Sequence, residues 1–444
     1  MQLQRRSTLN TRGGRGKAIA GLALLSATAL TLAGCSNDGG GGGGAETDSI
    51  SVLIAAPQEG AGKILAEEYE EATGISVDVT VLPYDQIQSR VLLDVQSGTN
   101  QFDVIQYWYT SVGALAQGGA LKDLTEWIEG NDEIDEDDFI DAIYDPYTLY
   151  EGNRYGLPID GDTHVMFYNK TILERNGVAV PTTWEEYIAA AKTITENESA
   201  NGVYGTAMLG DTSAFNIGST FFNRLATMSP DPIDPVRPDL SSDAALAAAQ
   251  SMLDLAPYAL PSPLETGFDQ ALPQFLGGNI AMIEFWTDLG VYAQDPEGSE
   301  IVDEWGVAPL PIGPEGKISG AVNAGWAIGI SPTASDEEKA LDFLQFATSQ
   351  EMNVQLSSTA GSGVDPIYTS TFSAPEYLEV VPEVAKVAEQ VFPNVQPWPT
   401  SPQSPEMISS LNDNLALMLQ GNLSPEEALA ATDAAWDELG VGDN

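Results

Sequence analysis

Apolar residues at Ile75, Val77, Val79 and Val81 alternate with Ser76, Asp78 and Thr80, and a short apolar run, Ser51 to Ala55, precedes them. Both segments read as strands. Between them Lys63 to Thr73 has helical spacing and stops at Gly74, the residue type that most easily adopts the left-handed turn closing a helix. Asp85 is placed to cap a second helix, with Ile87, Val91 and Val95 on one stripe and Gly98 at its end, and Phe102 to Gln106 returns as a strand. This β-α-β-α-β order calls for a parallel sheet with right-handed crossovers, whose ligands sit beyond the carboxyl ends of the strands. Gln58 and Glu59, Tyr84 and Asp85, and Tyr107 to Thr110 occupy those ends. Three aromatic residues in a row at a strand-to-helix turn place at least one of them in the cleft.

A second α/β unit follows Tyr155-Gly156-Leu157-Pro158. Thr183-Trp184-Glu185-Glu186 is a capping box that opens a helix through Thr195. Val203 to Met208 and Asn279 to Phe285 read as strands, with Ser242 capping an alanine-rich helix from Asp243 to Leu255. Trp305 to Ile312 is expected to cross back. Ser335-Asp336 caps a helix running to Thr348, and Ser424 with Pro425 in the first turn opens the last one. The proline-rich stretch 231–238 reads as an extended surface loop.

The amino terminus has a different pattern. A basic region (Arg5, Arg6, Arg12, Arg15, Lys17) leads into a mostly apolar run from Ala18 to Leu32, too short to span a bilayer stably, and Leu32-Ala33-Gly34-Cys35 ends it. That is how a bacterial lipoprotein signal reads, with Cys35 as the lipidated residue after cleavage. The unbroken glycines 39–44 cannot form a core and are expected to act as a flexible leash. The expected division is therefore a signal peptide over 1–34, a tether over 35–49, one lobe from 50–158 plus 313–372, and a second from 159–312 plus 373–444.

Charge and composition narrow the chemistry. Lys and Arg number 17 against 65 Asp and Glu, a net charge of −48, so nucleic acid is excluded as a partner. The acid is spread along the chain, which fits a solvated acidic shell suited to a saline medium better than a dedicated cation-binding surface. Cys35 is the only cysteine and His164 the only histidine. No Cys/His metal cluster or thiol nucleophile is possible, and neither a G-x-S-x-G nor a phosphate-binding Walker motif occurs. No catalytic residue, metal or cofactor is expected.

Several segments resemble family 1 extracellular solute-binding proteins, the carbohydrate receptors of ABC importers to which maltose-binding protein belongs. Leu157 to Lys170, containing Phe167-Tyr168-Asn169-Lys170, followed by Pro181-Thr182-Thr183-Trp184-Glu185-Glu186, is similar to that family's signature. Asp103-Val104-Ile105 before the aromatic turn, Gly278 to Met282 leading to Trp286, and Ala324 to Ile328 add to the likeness in the same order. The resemblance implies an α/β fold of two lobes, each a mixed β-sheet flanked by helices, hinged to close on a sugar. It also implies a ligand site made of Glu59, Tyr107, Trp108, Asp162, Trp286 and Trp326, with Trp398 only loosely matched. The expected protein is a lipid-anchored, extracytoplasmic monomer that delivers a sugar or short oligosaccharide to an ABC permease.

Flat rings for the apolar face of a sugar, with carboxylates accepting its hydroxyls, suit that chemistry. One or two carboxylates among aromatic rings would mark a sugar site, whereas several converging ones would mark a polyamine or other cation. A secreted glycosidase, using paired acids, is the alternative of another class. Presentation of the ligand to a membrane sensor would share every one of these sequence features.

Overall fold

The computed structural model describes residues 48–213, 215–316 and 320–442. The signal peptide, Cys35 and most of the tether lie outside the described residues.

Two sheets carry the architecture. The first is built from β1 (Ser49–Ala55), β2 (Ser76–Leu82) and β3 (Val104–Trp108). A small hairpin of β4 (Leu149–Tyr150) and β5 (Asn153–Arg154) follows, and then β6 (Leu157–Asp160), which rejoins the first sheet. The second sheet comprises β7 (His164–Asn169), β8 (Tyr204–Ala207), β9 (Ile280–Trp286) and β10 (Trp305–Ala308), after which β11 (Trp326–Ile330) returns to the first. The strand orders are β2-β1-β3-β11-β6 and β10-β7-β9-β8. In the first sheet β1 pairs in parallel with β2 and β3, while β11 lies antiparallel between β3 and β6. The second is likewise mixed, with β8 parallel to β9 and β7 antiparallel to both its neighbours.

Local sequence explains most of these boundaries. Gly74 and Gly98 close the helices Glu59–Thr73 and Tyr84–Ser97 in left-handed conformations, at φ 77° and 67°. The capping box at Thr183 opens Trp184–Glu198, and Ser242 accepts from the Ala245 N–H at the head of Asp243–Leu255. Two details differ from the sequence reading. Asp85 lies in the first turn of its helix behind Pro83 rather than at the cap, and Trp305–Ala308 is an edge strand of the second sheet.

The helix Asn216–Met228 is buried along its whole length. It tolerates Arg224, which is fully enclosed, because Glu284 of β9 takes its guanidinium through two bonds of 2.9 and 2.7 Å and the Trp184 ring lies 4.3 Å from it. A buried charge pair of this kind is weak evidence for net stability but costly to break.

Candidate ligand cleft between the two sheets

The chain passes between the sheets at Gly161-Asp162-Thr163, between the end of β6 and the start of β7. The returning segment before β11 runs beside it: Ala324 N–H donates to the Asp162 carbonyl at 3.0 Å, and Thr163 Oγ1 to the Val322 carbonyl at 3.2 Å. Contact here is close enough to require glycine. A Cβ on Gly161 would meet the Pro366 carbonyl oxygen at 1.9 Å, and one on Gly325 the Asp160 carbonyl oxygen at 2.1 Å.

Strand register brings the aromatic residues to this crossing. Trp326 pairs with Trp108 on one side and with Asp160 on the other, and in the second sheet Trp286 faces His164. Pro57, Gln58, Asp162, Phe215, Phe268, Trp286, Asp288 and Trp326 are among the residues lining one cavity of about 20 Å³. Phe215 sits among the rings, its centroid 5.7 Å from Trp286, 6.4 Å from Trp326, 5.6 Å from Trp108 and 4.0 Å from Tyr84. Beyond Tyr84 and Trp108 lies a second cavity of about 510 Å³, lined also by Gln88, Ser111, Thr212 and Ser213. A larger cavity of about 750 Å³ lies under the loop 229–234, away from all these rings and acids.

Four carboxylates are buried at the crossing. Asp160 accepts from Gln58 Nε2 at 2.6 Å and from the Asp365 N–H at 2.8 Å, while Asp365 accepts from Thr287 Oγ1 at 2.9 Å. One oxygen of Asp162 lies within 4.8 Å of an oxygen of each. Among the described residues no hydrogen-bond partner reaches Asp162 Oδ1 or Asp288 Oδ1. Burial and the neighbouring negative charges push Asp160 up to about 8 and hold Asp162 and Asp288 well above the usual carboxylate range. Asp365 is raised by burial too. His164 is driven the other way by burial, down to about 3, so it stands here as a neutral ring.

The expected site residues divide on this geometry. Asp162, Trp286 and Trp326 line the small cavity, and Trp108 lines its larger neighbour. Tyr107 does not line either. It is fully buried, and its hydroxyl donates to the Tyr147 carbonyl at 3.2 Å, because successive residues of β3 face opposite sides of the sheet and only Trp108 turns to the cleft. Glu59 also falls outside: its side chain is 51% exposed and pairs with Lys63 at 2.6 Å. A short 3₁₀ turn, Ala56–Gln58, precedes that helix, and Gln58 is the residue turned inward. Sequence reasoning placed Gln58 at the end of the first strand but did not carry it into the site set, and it did not single out Phe215, Phe268, Asp288 or Asp365. The Asp160-Gly161-Asp162 spacing was the visible trace of the acidic cluster. The fully buried Trp398 packs against Trp108 at 5.4 Å between centroids.

Residues 55–354 match the family described as bacterial extracellular solute-binding protein. The chain belongs to that family. It is a solute-binding protein and not an enzyme, which removes the glycosidase alternative. Among curated relatives, a probable amino-acid ABC transporter periplasmic-binding protein of Sinorhizobium fredii is 22% identical, with 82% of each chain covered. The erythritol/L-threitol-binding protein of Mycolicibacterium smegmatis is 24% identical over 84% of this chain and 82% of its own. Among solved structures, a maltose-bound MalE protein of T. maritima superposes with a TM-score of 0.79 at 22% identity, covering 88% of this chain and 99% of that one. That likeness establishes the two-lobed α/β fold. Among the described residues no helix is long and apolar enough to cross a membrane.

Proposed function

We propose that this solute-binding protein captures a neutral, polyhydroxylated solute, a sugar, short oligosaccharide or polyol, by closing its two lobes on it, and delivers it to an ABC importer. The observation that carries the reading is that Asp162, Trp286 and Trp326 line one cavity where the chain crosses between the sheets. Rings supply faces for C–H surfaces and the carboxylate takes hydroxyl donors, each charge-assisted bond contributing roughly 1.5–3 kcal/mol. The named ligands of two relatives, erythritol or L-threitol and maltose, support the same chemistry. Contacts from both lobes exist only when the hinge is shut, so the ligand favours that state by its differential affinity. The lobes are assigned to 50–158 plus 313–372 and 159–312 plus 373–444. The receptor is taken to be a monomer held at the outer face of the membrane through lipid on Cys35.

A second reading has a specific observation behind it: four carboxylates meet at the crossing instead of one or two, which favours a solute carrying a protonated amine. The Sinorhizobium fredii relative is named for amino acids. A melting-point screen over maltose, erythritol, ribitol, amino acids and spermidine separates the two, since a ligand at about 100 times its dissociation constant adds roughly 2.7 kcal/mol. Neutral sugars or polyols are expected to raise the midpoint; a rise confined to the amines overturns the sugar reading. Substitution Cys35→Ser is expected to release the protein from membranes, and retention in the membrane fraction would remove the anchor.

A further inference from the structure

The acidic cluster has the geometry of an ion site as well as of a ligand contact. One oxygen from each of Asp160, Asp162 and Asp365 lies within 4.8 Å of the other two. Ca²⁺ holds oxygens at about 2.3–2.6 Å, so two ligands of one ion stand at most roughly 4.6–5.2 Å apart, which this spacing satisfies; Mg²⁺ demands near-ideal octahedral geometry and dehydrates reluctantly, which suits it less to a carboxylate cage. Neutral groups hold the carboxylates from outside: Gln58 Nε2 and the Asp365 N–H on Asp160, and Thr287 Oγ1 on Asp365. A fourth carboxylate, Asp288, is 6% exposed, lines the same cavity as Asp162, and its Oδ1 has no hydrogen-bond partner among the described residues. Among the described residues no Lys or Arg forms an ion pair with any of the four.

We propose that Asp160, Asp162 and Asp365, with Asp288 beside them, bind a hard divalent cation of the size of Ca²⁺ where the chain crosses between the lobes. An all-oxygen, all-carboxylate donor set selects such an ion over zinc or copper. Asp160 and Asp365 do not line the cavity that Asp162 and Asp288 line, so the centre of the triad admits a bare ion more readily than an ammonium carried on a larger body. The ion offsets the mutual repulsion of carboxylates held this close together. The site does not depend on the identity of the transported solute.

The test uses the whole protein, stripped of metal with chelator and then titrated with CaCl₂ or MgCl₂ in the absence of any sugar. Calcium is expected to raise the melting midpoint saturably by several degrees and to displace Tb³⁺ whose emission is sensitised by the nearby tryptophans; magnesium is expected to do so more weakly. Asp365→Asn and Asp160→Asn are each expected to weaken calcium binding by roughly tenfold or more, while Glu59→Gln, on the exposed helix start, leaves it unchanged. A response that persists in both Asn variants belongs to the acidic surface and overturns the site. So does the absence of any saturable calcium effect, or a rise given by spermidine and not by calcium. Should either variant fail to fold, Tb³⁺ displacement on the unsubstituted protein decides, with no sensitised emission counting against the site.

Discussion

Burial gives single side chains their effect here, and Asp160 shows it best. A carboxyl that is harder to ionise in the folded state adds stability that is complete below the ordinary value of 3.8 and is lost as pH rises through the folded value, about 8 for Asp160. His164 acts with the opposite sign: neutral in the fold, it costs stability as pH falls below 6.5. Comparing the protein with Asp160→Asn cancels the histidine. The metal-free protein is expected to lose stability relative to Asp160→Asn as pH rises from 4 to 8, read as the difference between urea midpoints; parallel pH profiles would show that Asp160 ionises freely. Phe215 offers a second residue-scale prediction. Its ring lines the small cavity beside Trp286 and Trp326 and packs against Tyr84 and Trp108, which line the larger one. Phe215→Ala is expected to join the two cavities, costing about 3–5 kcal/mol of apo stability as a core truncation. Calorimetry should show solute affinity or preferred chain length changed; unaltered binding would place the ligand away from this ring.

Among the elements, the buried helix Asn216–Met228 and strand β9 depend on one charge pair. Glu284→Ala leaves Arg224 enclosed without its bidentate partner and is expected to cost about 3–5 kcal/mol, whereas the double replacement Arg224→Met with Glu284→Leu is expected to recover most of that loss. Equilibrium unfolding of the three proteins checks the order; equal losses in the single and double variants would refute it. The same element level was the most legible in the sequence. Capping boxes at Thr183 and Ser424, the cap at Ser242, and the glycines 74 and 98 mark helix ends through local hydrogen bonding and backbone conformation, which adjacent residues determine. Alternation located the strands for the same reason. The cleft was legible only in part. Asp162, Trp286 and Trp326 sit in segments with strong family likeness, but Gln58, Phe215, Asp288 and Asp365 come from four distant stretches and meet only through tertiary packing. Naming Glu59 rather than Gln58, or adding Tyr107 to Trp108, turns on which way one residue faces, and a 3₁₀ turn or a strand pleat decides that.

For the whole molecule, cavity size sets the terms of ligand entry. Small-molecule sites measure about 300–1,000 Å³, and the cavity holding Asp162, Trp286 and Trp326 measures about 20 Å³, room for roughly one water. No sugar ring enters it without the walls parting. Those walls belong to both sheets, Trp326 to the first and Trp286 to the second, and the segments joining them at 161–163 and 322–325 are tied by backbone hydrogen bonds that a rotation can preserve. On the proposed hinge motion, lobe separation would expose Trp286, Trp326 and Phe215 together, and closure on a solute would remove them from water again. Intrinsic tryptophan emission is accordingly expected to shift to shorter wavelength, and the radius of gyration from small-angle scattering to contract, when the cognate solute saturates the protein. Both changes are expected to follow one binding isotherm, because the proposed closure is a single rotation. A solute that binds with no change in either signal would mean that it enters elsewhere, with the roughly 510 Å³ cavity beside Tyr84 and Trp108 the place to look, and that the crossing does not act as a hinge.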